Sequence, residues 1–201
     1  MRWDRLFDDL EVQLASEWEA ERAALDTEAE RLRLSRVSLR ERLIELGARD
    51  DATAALVLDL AGGSTIRGEV TGVAADCVAL RPAEGRAGAM IVPLAAIEGI
   101  GMPHHDLLRS ARPDAARSAL ADRLTFGFVL RDLVRRRAGV AVHLVAGRSL
   151  HGTIDRAGAD HLDLALHDPG APRRADAVTG HRIVPFASIS WVRAEGASSV
   201  L

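Results

Sequence analysis

Apolar and polar residues alternate along two stretches of this chain, and the two stretches are copies of each other. In the first, Leu56, Leu58 and Leu60 alternate with Val57 and Asp59, the period of a half-buried strand. Ala61-Gly62-Gly63 then supplies the positive-φ residues of a tight hairpin. Ile66 and Val70 resume one face, with Thr65, Arg67, Glu69 and Thr71 opposite. Gly68 falls on the inward side, where a glycine marks a sharp bend or a close backbone approach. Val73 breaks the alternation, which predicts a register change near Gly72. Val78 and Leu80 form a third strand and Met90 to Val92 a fourth; after Pro93 a last strand runs through Ile97 and Ile100.

The second stretch repeats this pattern. Leu60 to Leu80 aligns with Leu144 to Leu164 without a gap, and Leu60, Gly63, Gly68, Ala75, Asp76 and Leu80 are identical to Leu144, Gly147, Gly152, Ala159, Asp160 and Leu164. Six identities in 21 positions exceed the roughly one expected by chance. Val92-Pro93-Leu94-Ala95-Ala96-Ile97 is matched by Val184-Pro185-Phe186-Ala187-Ser188-Ile189 at a spacing longer by eight, so the second copy carries a longer loop before its fourth strand.

A helical period governs the N-terminus. Trp3, Leu6, Phe7, Leu10, Leu14, Trp18, Leu25, Ala29 and Leu32 recur mostly three or four apart among acids and arginines. Such a helix spans about 50 Å, too long to lie on one small β unit. Trp3, Leu6, Leu10, Leu14 and Trp18 are therefore candidates for a seam with a second copy or a partner, against a helix folded back over the rest of the chain. Ser38 and Glu41 form a capping box for a short helix ending near Gly47, which is placed for a left-handed cap. Residues 101–124 are weakly patterned, with Pro103 and Pro113 as breakers and a helix expected from Asp114, its cap, to Leu124. A firmer helix starts at Thr125 and places Phe126, Val129, Leu130, Leu133 and Val134 inward.

The resulting division is an N-terminal helix (1–37), a first β unit with its leading helix (38–101), a linker (102–124), a second β unit with its leading helix (125–195) and a tail (196–201). The 201 residues are 48% hydrophobic, enough for a real core. All 26 basic residues are arginine. Residues 1–103 hold 12 arginines against 19 acids (−7), and residues 104–201 hold 14 against 10 (+4). The whole chain thus lacks the basic footprint of a nucleic-acid binder, although its second half leans that way. The single Cys77 forms no internal disulfide and suits a reducing compartment. Acids stand where a signal peptide needs an apolar run, and the longest apolar run, Ala89 to Ile97, is far short of a membrane span. A cytoplasmic protein with no membrane contact is expected.

A short helix followed by five short strands, with the pattern Leu60, Gly63, Gly68, Val70, Asp76, Val78, Leu80 and again Leu144, Gly147, Gly152, Ile154, Asp160, Leu162, Leu164, resembles the Sm-like family, particularly its bacterial Hfq branch. SH3-like barrels share much of this spacing. The resemblance covers about 50 residues in each copy and implies an α+β fold: an N-terminal amphipathic helix, then two Sm-like or SH3-like five-stranded β-barrels, each preceded by a short helix. It also implies ring assembly through edge strands, and RNA as a ligand. The family's site residues do not carry over. Its basic-and-histidine pair corresponds here to Leu94-Ala95 and Phe186-Ala187, and the Met-Asn pair of eukaryotic members to Val78-Ala79 and Leu162-Asp163.

Catalysis has no support in motif or spacing, so no enzyme, cofactor or metal is expected. His143, His151 and His161, and the separate His104-His105-Asp106, lack metal-ligand spacing and read as solvated surface. Asp76 and Asp160 precede the third strands, where a carboxylate accepts backbone amides and fixes a turn. Cys77 is expected to face outward. The contact candidates are Arg135, Arg136, Arg137, Arg148, Arg156, Arg173, Arg174 and Arg182, whose guanidinium forks suit carboxylate or phosphate. The leading expectation is a non-catalytic binding and assembly protein, joining itself or a protein partner. The alternative is an RNA- or DNA-binding regulator acting through the arginines of the second unit.

Overall fold

The computed structural model describes residues 2–48, 55–83, 88–115, 118–171 and 173–196. Within the first helix it describes side chains from Gln13 on, except residues 14, 15, 17 and 20. The linker at 49–54, the tail at 197–201 and the side chains of Trp3, Leu6, Leu10 and Leu14 lie outside the described residues. Two compact units result, Met1–Ser38 and Leu39–Leu201.

The first unit is the expected long helix, α1 (Arg2–Ser35). Its chain is rich in leucine, alanine, glutamate and arginine, all strong helix formers. Trp18, Leu25 and Leu32, spaced by seven, are all exposed.

The second unit opens with α2 (Leu39–Gly47), which buries Leu43 and Leu46. Gly47 ends α2 without the left-handed conformation expected of it. Its missing side chain serves packing instead, since a Cβ there would stand 2.7 Å from Val70 Cγ1. Strands β1 (Leu56–Leu60), β2 (Ser64–Val73), β3 (Cys77–Pro82), β4 (Gly88–Pro93) and β5 (Ile97–Gly101) follow. Helices α3 (His104–Ser110) and α4 (Phe126–Arg136) then lead to β6 (Gly139–Leu144), β7 (Ser149–Ala157), β8 (His161–Leu166), β9 (Gly180–Pro185) and β10 (Ile189–Glu195).

The α+β class holds, but two separate five-stranded barrels do not form. The ten strands make one open antiparallel sheet in the order β5-β1-β2-β3-β4-β10-β6-β7-β8-β9. Each copy keeps the same internal order, its fifth strand lying beside its first. The copies join where β4 pairs with β10, with Val192 opposite Ile91 and Arg193 opposite Met90. The physical reason lies on the outer face of β3 and β4, where Cys77, Ala79, Ala89 and Ile91 are all apolar and all buried. Left open, that face would keep Ile91 in water, and burying one such side chain is worth about 1.5–3 kcal/mol.

Two cores flank the seam and exchange residues across it. The first packs Leu43, Leu58, Leu60, Val78 and Leu80 and takes in Trp191 from β10. The second packs the α4 side chains Phe126, Val129, Leu130 and Leu133 on β6 to β10 and takes in Ala74, Cys77, Ala89 and Ile91 from the first copy. The register change expected near Gly72 is present between Val70 and Gly72, and its equivalent falls between Ile154 and Arg156.

The region before α4 differs from expectation. Pro103 starts α3 as its N-cap rather than breaking the chain, a position where a residue without an N–H costs little. Among the described residues Asp114 caps no helix; its amide donates to Glu45, and a 3-10 turn, Ala121–Arg123, stands just before α4. Asp106 is buried on α3, 3.6 Å from Arg109. Arg42 of α2 donates to the Ser110 hydroxyl and the Leu107 carbonyl, which ties α2 to α3. No helix among the described residues is long and apolar enough to cross a membrane.

Candidate functional site

The repeat provides a direct comparison between a covered surface and an open one. Cys77, Ala79, Ala89 and Ile91 of the first copy correspond to His161, Asp163, His181 and Ile183 of the second. The first four are buried under the seam. The second four stand on the outer face of β8 and β9, and β9 is a terminal strand of the sheet. Ile91 is 0% exposed and Ile183 is 72% exposed, though the two isoleucines hold the same place in their copies. Three of the four positions have turned from apolar to polar. A second seam of the first kind would bury His161, Asp163 and His181, each at a desolvation cost.

Beside this face lies an open cleft of about 1130 Å³ between the end of α4 and strands β7 to β9. It gathers Arg135, Arg137, Arg156, Arg173 and Arg182, together with His181 and Ile183. Asp155 and Asp163 supply the opposing charge. Arg173 forks onto Asp155 at 2.7 and 2.9 Å. Asp155 sits at the β7 bulge, which turns it toward the long loop. Arg135 is held by Asp132 at 2.7 Å, on α4. Arg182 donates to the His181 carbonyl. The guanidinium groups of Arg137 and Arg156 have no partner among the described residues.

Arg137 is the only described non-glycine residue at positive φ (49°), and it forms the left-handed cap of α4. Glycine is the usual residue there, because a side chain in that conformation is strained by about 1 kcal/mol. The strain aims a cation at the rim of the cleft.

The expected contacts therefore divide. Arg135, Arg137, Arg156, Arg173 and Arg182 come together, whereas Arg136, Arg148 and Arg174 do not line the cleft. Arg136 is spent on Asp132 at 2.6 Å. Of the α1 candidates with described side chains, Trp18 is exposed. Sequence reasoning missed His181, Ile183 and Asp155. Reading β9 against β4 would have found the first two, because Ala89 becomes His181 while Ile91 persists as Ile183.

Other chemistry was misplaced. Cys77 is buried rather than outward, and burial followed by the nearby Asp76 carboxylate pushes its thiol up to about 12. A protonated, enclosed thiol is a poor nucleophile. The His143 ring lies parallel to Trp191, with centroids 3.8 Å apart, and its Nδ1 is 2.8 Å from the Ser149 hydroxyl. Burial, then His151 and Arg193, lowers its pKa to about 4. His161 instead meets Asp160. Among the described residues, no three His, Cys, Asp or Glu side chains converge as a metal site would require. No family model, no curated protein and no solved structure matches the chain.

Proposed function

We propose that this chain is a non-catalytic binding and assembly protein of the cytoplasm, in which α1 joins copies and the open β9 surface docks a protein partner. The observation that carries the reading is the contrast between Ile91 and Ile183. The chain joins its own halves through this surface once, and at the end of the sheet it leaves the equivalent surface open. A terminal strand with an exposed isoleucine is suited to receiving another strand. The exposed Trp18, Leu25 and Leu32 support the assembly half, because a stripe repeating every seven residues fits a helical seam. The enclosed Cys77 thiol fits a binding role better than a catalytic one.

Light scattering on the full chain and on a chain lacking residues 1–34 tests assembly. The full chain should form a multimer and the shortened one a monomer; equal monomeric masses overturn this half. Selection from a library of extended heptapeptides tests docking. Peptides held by the chain and released by Ile183→Asp support it, and failure to hold any peptide overturns it.

A second reading, as an RNA- or DNA-binding regulator, is favoured by the uncommitted guanidinium groups of Arg137 and Arg156. It requires binding of mixed RNA that weakens with salt and is lost on replacing Arg137, Arg156 and Arg182.

A further inference from the structure

We infer that the β9 edge takes an extended acidic strand from a partner chain, with a carboxylate opposite Arg182 and an apolar side chain opposite Ile183. The inference rests on the reading of β9 as a docking edge and names the chemistry of what docks.

The seam between the copies supplies the register. There β10 lies on β4 with Val192 opposite Ile91 and Arg193 opposite Met90. In the second copy Ile183 replaces Ile91 and Arg182 replaces Met90. A strand seated on β9 as β10 sits on β4 therefore meets an isoleucine and then a guanidinium. The cation has moved from the covering strand to the covered one, so the complementary covering residue is an acid. Arg137 and Arg156 extend this demand into the adjoining cleft, because neither guanidinium makes an ion pair among the described residues, although Asp163 stands opposite Arg156 across β7 and β8. Charge-assisted bonds from a guanidinium to a carboxylate are among the stronger surface contacts.

Three features favour a peptide over a nucleic acid. The unpaired side of β9 presents alternating N–H and C=O groups, which match another strand and not a phosphodiester chain. Ile183 stands exposed on that strand, where a phosphate would gain nothing. No Phe, Tyr or Trp ring lines the cleft for base stacking.

The test titrates the intact chain with two labelled heptapeptides copying Ile189–Glu195, one unaltered and one carrying Arg193→Glu, and with a mixed-sequence single-stranded oligonucleotide. The acidic peptide should bind at least about tenfold more tightly than the unaltered one, and added salt should narrow the gap. Arg137→Gly in the protein should weaken the acidic peptide about fivefold while the melting temperature holds or rises, because glycine suits the left-handed cap. A purely structural arginine would leave binding unchanged. Ile183→Ser should weaken both peptides without moving the melting temperature. Equal affinity for the two peptides overturns the acidic preference while leaving the docking edge standing. Binding of neither peptide overturns both, as does binding of the oligonucleotide alone.

Discussion

His143 shows how one side chain can couple the two copies to pH. Its ring stacks on Trp191, which itself reaches into the first core, so the imidazole lies against a residue that both copies share. Burial, His151 and Arg193 all disfavour its cation, and its pKa falls from 6.5 to about 4. The unfolded chain then binds a proton that the folded chain refuses between those two values. The resulting stability is fully present above pH 6.5, declines as pH falls toward 4, and is lost below that. His143→Phe keeps the ring and removes the titration, so its stability should fall less steeply over this window in urea unfolding. Equal slopes for the two chains would sink the assignment. The histidine was visible in the sequence as an alternating strand residue. Its stacking partner was not, because Trp191 lies 48 positions away and the pairing depends on β10 crossing back to β6.

At the scale of elements, Asp76 separates what local sequence specifies from what topology adds. An aspartate before a strand was expected to accept a backbone amide, and it does. The amide belongs to Phe126, the first residue of α4 in the other copy, at 2.6 Å. Asp76 thus works as an N-cap supplied from a distance, alongside the local Thr125 cap. Asp160 holds the equivalent place, but its side chain is largely exposed and its carboxylate reaches its neighbour His161 and no helix amide among the described residues. Asp76→Ala should therefore cost roughly 1 kcal/mol, and Asp160→Ala close to nothing, in parallel thermal melts. Equal losses would show that both act as simple turn residues. Strands, hairpins, bulges and the leading helices were legible because each rests on local alternation, glycine or capping. Helix α3 was not, since Pro103 reads as a breaker and not as the residue that starts a helix. The seam was not either. Nothing in the β4 pattern taken alone distinguishes a strand covered on its outer face by its own barrel from one covered by the next copy.

For the whole second unit, the seam decides cooperativity. Were the copies independent barrels, each would unfold in its own transition and either could be produced alone. Instead Trp191 of the second copy completes the first core, while Ala74, Cys77, Ala89 and Ile91 of the first complete the second. Separating the two copies would expose both sets at once and unpair β4 from β10. Residues 39–201 should therefore unfold in one calorimetric transition, and residues 39–103 and 104–201 should fold only when produced together. Ile91→Ala, which leaves a cavity at the seam, should lower stability by roughly 2–5 kcal/mol. Because the two cores share that surface, the loss should appear equally in Trp191 fluorescence, read with Trp3 and Trp18 replaced by Phe, and in far-ultraviolet dichroism. Two resolved transitions, or a soluble folded half, would mean that the copies stand on their own and merely touch. A single transition would make the seam part of the fold, and the open β9 surface the place where this sheet, having joined itself once, stops.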